Sequence, residues 1–220
     1  MFVDRGNQEL FYKPSQISSG NQTAVILCSS GSTGPPKAVT ISHNVMKTIG
    51  SNFSGTCEEV SLSFTSLFWI SGLNNMISTA MTGATRLVSC EPFNAELCLE
   101  LIDKYKATKA TFLPMHLAAI NASPARFTKS MKSLNIIFSS GAPLPCETLN
   151  NFKEILSPNC RIIQGFACTE KGAITMDLYG KADGSCGTVA PNVEVKIIDN
   201  NGHSLGPNEN GEIVARNFHP

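Results

Sequence analysis

The chain has 220 residues, of which 42% are apolar and 15% are charged, enough for one sizeable hydrophobic core or two small ones. Its 17 basic residues balance its 17 acidic residues, so charge gives no argument for a nucleic-acid or anionic-lipid partner. No apolar stretch reaches the length of a membrane span, and the first residues lack the apolar segment of a signal peptide.

The chain contains eight cysteines, which are widely and irregularly spaced and form no C-x-x-C pair. This spacing argues against a zinc site. Several of the cysteines lie in apolar runs, so we expect reduced thiols that pack as small apolar side chains.

In chain order, the polar residues 1–22 are predicted to form a lead-in. The apolar run 24–29 predicts a short buried strand bounded by Gly and Ser. A loop is expected at residues 30–37, followed by a helix over 42–53, in which Ser42 is a candidate cap.

From residue 58 onwards, predicted strands and helices alternate. Residues 58–70 mix strand alternation with a turn, and a loop and helix are expected from 115 to about 133. Three helices are predicted: 72–83, which is rich in small residues and ends at Gly83; 94–106, which has a clear stripe of apolar residues; and 145–156, which has Pro145 at its start. The predicted strands are 84–90, 107–114, 134–144 and 160–166.

This alternation predicts an α/β fold, with a mainly parallel sheet and flanking helices over residues 23–183. Residues 184–220 carry alternating apolar positions and an Asn-Asn-Gly turn. They predict the start of an antiparallel β subdomain. Three loops are expected beyond the carboxyl ends of strands, where ligands bind in such sheets.

The most informative segment runs from Ser29 to Lys37, SSGSTGPPK. Its glycines allow close approach of the backbone to a ligand. Its hydroxyls and amides offer donors to phosphate oxygens, and its lysine offers a positive charge. It is not a Walker A loop, because two prolines precede Lys37 and Ala38 follows it. A surface loop with a lysine by chance is the alternative.

The segment Ile26–Val39 resembles the phosphate-binding signature of the adenylate-forming (AMP-dependent) synthetase and ligase superfamily. Ser139–Leu144 resembles its nucleotide and acyl loop, and Gln164–Glu170 resembles its aromatic-x-x-Thr-Glu motif. Gly184–Pro191 and Asn210–Ile213 fit the downstream pattern. The resemblance is greatest to acyl-CoA synthetases, 4-coumarate-CoA ligases and insect luciferases, and it implies part of the N-terminal domain of that fold.

The resemblance implies that ATP activates a fatty or aromatic carboxylic acid as an acyl-adenylate, with magnesium bound and coenzyme A as co-substrate. Thr169 is expected to donate to the α-phosphate and Glu170 to help bind magnesium. With Lys37, these are the expected catalytic residues. The residues expected to hold the β- and γ-phosphates are Ser30, Gly31, Ser32, Thr33, Gly34 and Lys37.

Adenine is expected to lie between the loop Gly141-Ala142-Pro143 and Phe166, next to Gly165. The proposed acyl pocket contains three departures from the family pattern, because Trp69 stands in place of a common His, and Ser140 and Ala167 in place of Gly. Phe166 replaces the usual Tyr and keeps a stacking face.

Each of these residues also has a purely structural alternative. Thr169 could cap a helix, and Phe166 and Trp69 could be core aromatics. Residues 139–143 could form an ordinary strand-to-helix turn.

The resemblance further implies that the family's Thr-Gly-Asp motif and lysine-bearing small domain have no counterpart in these 220 residues. We therefore expect negligible ligase activity and weak ATP binding from the chain alone. The alternative is a non-catalytic nucleotide-binding or interaction fragment; an unrelated P-loop phosphotransferase is disfavoured, because Lys37 is not preceded by Gly. The expected location is intracellular, either peroxisomal or cytoplasmic.

Overall fold

The computed structural model describes residues 11–29, 34–52, 55–180 and 184–217, which contain three β-sheets and five α-helices. The strands are β1 (Thr23–Cys28), β2 (Ala38–Ser42), β3 (Val60–Ser63), β4 (Thr85–Leu87), β5 (Lys109–Phe112), β6 (Ile136–Ser139), β7 (Arg161–Cys168), β8 (Gly172–Met176), β9 (Thr188–Val189), β10 (Val193–Ile198) and β11 (Glu212–Asn217). The helices are α1 (His43–Asn52), α2 (Ile70–Thr82), α3 (Ala95–Tyr105), α4 (Pro114–Ala122) and α5 (Cys146–Lys153), with a 3₁₀ turn at Pro124–Phe127.

The central sheet has seven strands in the order β4-β3-β5-β6-β7-β8-β9. The five strands from β4 to β7 pair in parallel, whereas β8 and β9 are antiparallel additions at one edge. The predicted α/β fold with a mainly parallel sheet is therefore confirmed. The crossovers between parallel strands carry the helices, which cover the sheet.

One face of the parallel strands forms the main core. Pairing aligns Leu62, Ala110, Ile137 and Ile162 in one row across β3, β5, β6 and β7, and all four are buried. The helix side chains that complete this core include Leu99, Leu117 and Phe152.

Local sequence signals set the start of α3 and the end of α2, and the end at Gly83 is the predicted one. The Asn94 side chain accepts hydrogen bonds from the amides of Glu96 and Leu97 and so caps α3. Gly83 ends α2 in the left-handed conformation, with φ of 71°, which glycine adopts without steric cost.

The expectation that residues 24–29 form a buried strand of the parallel sheet is wrong. β1 pairs only with β2, in a separate antiparallel hairpin, and Ile26 is 62% exposed. The loop at residues 30–37 therefore joins two strands, and the helix begins only after β2. Ala38–Ser42 forms a strand because its three consecutive β-branched residues, Val39, Thr40 and Ile41, suit a half-buried strand.

The hairpin is anchored by a second, smaller core. Leu27 and Ile41 from the hairpin pack with Met46 of α1 and Leu73 of α2. Helix α1 contacts α2, and α2 contacts β3, so these helices connect the loop at residues 30–37 to the central sheet.

Strand β7 is longer than predicted, and Gln164–Cys168 lies inside it rather than after it. Its first half pairs in parallel with β6 as far as Gln164. Its second half starts at Gly165 and pairs antiparallel with β8. β7 therefore extends past the end of β6, and Thr169 and Glu170 lie in the β7–β8 turn.

The downstream glycines have structural roles. Gly187 has φ of 84°, and a Cβ there would come within 2.1 Å of the Met176 backbone, so glycine lets the chain reach β9 beside β8. A Cβ at Gly211 would approach the carbonyl oxygen of Ile198 at 2.4 Å. β10 and β11 pair antiparallel, as predicted for this part of the chain, and the predicted subdomain boundary at 183–184 stays a prediction.

Candidate functional site

The predicted site residues of the central sheet follow the carboxyl ends of its parallel strands. Pairing places Ser139, the last residue of β6, next to Gln164 of β7. The loop that begins at Ser140 and the second half of β7, which begins at Gly165 and extends past the end of β6, therefore start side by side. Neighbouring strands lie about 4.8 Å apart, so these two segments form one continuous rim.

The loop after β6 contains Gly141, Ala142 and Pro143, all exposed, and Leu144, whose buried side chain anchors its end. Gly141 has φ of 93°, a backbone conformation that favours glycine. A Cβ at Gly141 would lie 3.2 Å from Cδ2 of Leu113, so the loop rests against the residue that follows β5. This loop connects β6 to helix α5, which agrees with the structural alternative of an ordinary strand-to-helix turn.

On the other side of this rim, Phe166 is 38% exposed, so the described residues do not enclose this side chain. A Cβ at Gly165 would meet the carbonyl oxygen of Thr175 at 3.4 Å, an ordinary contact. The chain's own packing therefore does not require glycine at 165. The β7–β8 pairing is irregular between Phe166 and Ala167, and such bulges redirect side chains at binding sites.

Thr169 and Glu170 occupy the turn between β7 and β8, and the Glu170 side chain is exposed. This turn excludes the alternative in which Thr169 caps a helix. The Asn217 side chain donates a hydrogen bond of 3.1 Å to the carbonyl oxygen of Lys171, so the end of β11 holds the turn. Burial is the largest influence on the neighbouring Cys168 thiol and raises its pKa.

The glycine- and serine-rich loop is closed at its base by a hydrogen bond of 2.8 Å from the Ser29 amide to the Lys37 carbonyl oxygen. Gly34 and Lys37 are exposed, and no atom lies within 4 Å of a Cβ at Gly34. The predicted phosphate-binding residues Ser30, Gly31, Ser32 and Thr33 lie outside the described residues.

The segment after β3 presents three apolar side chains, Leu67, Phe68 and Trp69, at the same edge of the sheet. The Trp69 ring packs edge-on against Phe68, with 5.5 Å between ring centroids, and is 43% exposed. The described residues therefore do not enclose the Trp69 side chain, and its place in an acyl pocket stays a prediction. The first turn of helix α2 packs closely against this segment, because a Cβ at Gly72 would come within 2.2 Å of the Ser66 carbonyl oxygen.

Sequence reasoning missed His116, which lies at the start of α4 near the same edge. Its ring stacks on Phe93 with centroids 3.8 Å apart, and its Nδ1 accepts a hydrogen bond of 3.3 Å from the Leu113 amide. Burial lowers the pKa of this imidazole. The sequence signal that could have identified His116 is the proline at the first position of α4 followed by a histidine at the third position.

No group of three metal-ligating side chains occurs among the described residues. All eight cysteines are free, and burial raises the pKa of Cys98 to about 12 and of Cys160 to about 11. These two thiols therefore stay protonated at neutral pH. None of the helices in the described part of the chain has the length and apolar character needed to cross a bilayer.

The architecture is an α/β fold whose candidate ligand site lies at the carboxyl edge of a parallel sheet. A profile of the AMP-binding enzyme family matches residues 3–219. The chain therefore belongs to the AMP-binding enzyme family, which is the adenylate-forming superfamily that its motifs resemble.

Similar proteins agree with this assignment. The chain is 34% identical over 204 residues to a 4-coumarate-CoA ligase of Pinus taeda, covering 86% of this chain and 38% of the relative. It superimposes on the luciferase-like enzyme of the nonluminescent Zophobas morio mealworm with a TM-score of 0.82 and 28% identity, covering 95% of this chain and 51% of that one.

A third similarity supports the fold alone. O-succinylbenzoate coenzyme A synthetase of Bacillus subtilis, in complex with ATP and magnesium ion, aligns with a TM-score of 0.77 and 24% identity. The alignment covers 90% of this chain and 42% of that one. The chain spans 37% of the length of one curated 4-coumarate-CoA ligase that it resembles and 40% of another.

Proposed function

We propose that this chain binds an adenine nucleotide and belongs to an enzyme that activates a carboxylic acid as an acyl-adenylate and then an acyl-CoA thioester. The observation that carries the proposal is the pairing of Ser139 with Gln164. It brings the Gly141–Pro143 loop alongside Gly165 and Phe166, the two predicted sides of an adenine site.

The adenine would lie between the loop and the exposed Phe166 ring, which offers a stacking face. Gly165 supports this arrangement, because no close contact within the chain requires glycine at this position. A glycine that internal packing does not require fits a position where a ligand approaches the backbone.

The triphosphate would extend from Thr169 towards the loop at residues 30–37. Thr169 would donate its hydroxyl to the α-phosphate, and Lys37, which is exposed, would place its ammonium on the terminal phosphates. Activation brings a carboxylate against an α-phosphate, so donors and positive charge at this point stabilise the charge that develops.

Glu170 fits a magnesium site in which the ion is held jointly by a protein carboxylate and the phosphates of a nucleotide. Magnesium is commonly held by one or two carboxylates together with substrate phosphates and water. Glu170 supplies one exposed carboxylate in the β7–β8 turn. The bound ion would offset the charge of the leaving pyrophosphate.

The acid would bind next to the apolar segment after β3. Trp69, with Ser140 and Ala167, is proposed to line the acyl pocket, because it is exposed at the carboxyl edge of the sheet. Its aromatic surface suits an aromatic or fatty acid. Relatives named for 4-coumarate favour the aromatic class.

A non-catalytic nucleotide-binding fragment is the second candidate. Measuring nucleotide binding and acyl-adenylate formation separately distinguishes the two, because the fragment would bind AMP without forming the adenylate.

The test of the site is a Gly165→Ala variant, with AMP affinity measured by isothermal titration calorimetry. The added methyl meets only ordinary contacts in the chain, so the variant should keep its unfolding midpoint. It should lose AMP affinity by at least about tenfold, because the methyl occupies the space proposed for the nucleotide. Gly206→Ala, whose methyl meets the exposed Glu209 carboxylate at 3.2 Å, is the control. Unchanged AMP affinity in Gly165→Ala would contradict the proposal.

A further inference from the structure

His116 is a buried polar residue, 8% exposed, for which the proposed reaction has no role. It lies in the first turn of α4, directly after the carboxyl end of β5. Its ring is held between aromatic neighbours, stacked on Phe93 and edge-on to Phe112 at 6.3 Å between centroids. Such packing fixes the plane of the imidazole and therefore the direction of its nitrogen atoms.

The imidazole makes a specific hydrogen bond at the start of the helix. Nδ1 accepts from the Leu113 amide at 3.3 Å, and Leu113 is the residue before the first turn of α4. A Glu or Gln at the third helical position normally accepts from this amide. Because Nδ1 accepts, the proton of the neutral ring is on Nε2.

Leu113 in turn contacts the loop after β6. Its Cδ2 lies 3.2 Å from the position of a Cβ at Gly141, and Gly141 is the loop residue with a φ of 93°. The backbone of Leu113 is fixed on one side by β5 and on the other by the hydrogen bond to His116. The isobutyl group, which extends from this backbone, lies against the loop at Gly141.

We infer that His116 is a positioning residue that, through Leu113, sets the conformation of the Gly141–Pro143 loop. Its effect on nucleotide affinity rests on the proposed function, in which this loop forms one side of the adenine site. The competing explanation is that the imidazole ring only packs against Phe93 and has no effect on the loop.

Two substitutions separate these explanations, because each keeps one property of the imidazole. His116→Gln keeps an acceptor at the third helical position and loses the ring. His116→Phe keeps a ring against Phe93 and loses the acceptor. A positioning role requires His116→Phe to be the more harmful variant for the loop, whereas a filler role requires the reverse.

The experiment is amide hydrogen exchange and chemical-shift mapping by NMR on the full 220-residue chain. In His116→Phe, exchange at the Leu113 amide should accelerate by about three- to tenfold, and the Gly141 amide resonance should shift. In His116→Gln both should stay close to the wild type. Leu113 and Gly141 amides that are unchanged in His116→Phe would overturn the inference.

A measurement on the unsubstituted chain keeps the test decisive if a variant does not fold. We expect a through-hydrogen-bond coupling between the Leu113 amide nitrogen and Nδ1 of His116. We also expect the proton of the neutral imidazole to be on Nε2. An imidazole protonated on Nδ1, with no such coupling, would overturn the inference without any substitution.

AMP titration of the same samples tests the proposed function separately. His116→Phe should weaken AMP binding by about three- to tenfold, and His116→Gln should leave it within about twofold. If the wild type does not bind AMP but the Leu113 and Gly141 signals still change when His116→Phe removes the acceptor, the positioning role is supported and the proposed adenine site is contradicted.

Discussion

Adding a methyl group to Gly72, Gly187 or Gly211 would bring it within 2.4 Å of a backbone atom elsewhere in the chain. Those glycines are explained by packing. Gly34 and Gly165 are different, because the described structure leaves ordinary space around a Cβ at either position. At the scale of single residues, this contrast separates glycines that the fold needs from those whose small size a ligand would explain.

His116 gives a prediction about stability and pH. Burial lowers the pKa of its imidazole below the ordinary value of 6.5, so below that pH the unfolded chain binds a proton that the folded chain does not. The free energy of unfolding should therefore fall as pH drops from about 7 to about 5. His116→Gln removes this titration, so urea unfolding at several pH values should show a shallower fall. Parallel pH profiles for the two proteins would contradict the lowered pKa.

At the scale of secondary-structure elements, a helix such as α3 could be predicted closely because its signals are local. The apolar stripe and the Asn94 cap both lie within the segment that folds. β2 and the second half of β7 could not be predicted in this way, because each depends on a partner strand. A short strand is selected by the strand that pairs with it and by the face that it buries.

The β1–β2 hairpin carries the second prediction, which concerns its two faces. Leu27 is buried against α1 and α2, so Leu27→Ala should lower the free energy of unfolding by about 2–4 kcal/mol. Ile26, its neighbour in β1, is 62% exposed, so Ile26→Ala should cost less than about 1 kcal/mol. Urea denaturation of the two variants checks this difference, and equal losses would contradict the one-sided burial of the hairpin.

At the scale of the whole molecule, the alternation of predicted strands and helices predicted the α/β fold, and the family assignment agrees with it. The position of the site residues relative to one another was less predictable. His116 was missed because the rings and loop that give it a role, at Phe93 and Gly141, are distant in sequence and meet only in the folded sheet.

The last prediction concerns turnover by these 220 residues. Acyl-adenylate formation needs the acid, the α-phosphate and the charged groups to be aligned, and incomplete alignment costs orders of magnitude in rate. Because the chain spans 37% to 40% of its curated relatives, we expect it to bind AMP but to catalyse ATP–pyrophosphate exchange at least about 10²-fold more slowly than a full-length relative. A panel of aromatic and fatty acids, assayed beside a full-length 4-coumarate-CoA ligase, makes the comparison. Exchange at a comparable rate with any acid would show that the described site is sufficient for activation and would exclude the non-catalytic alternative.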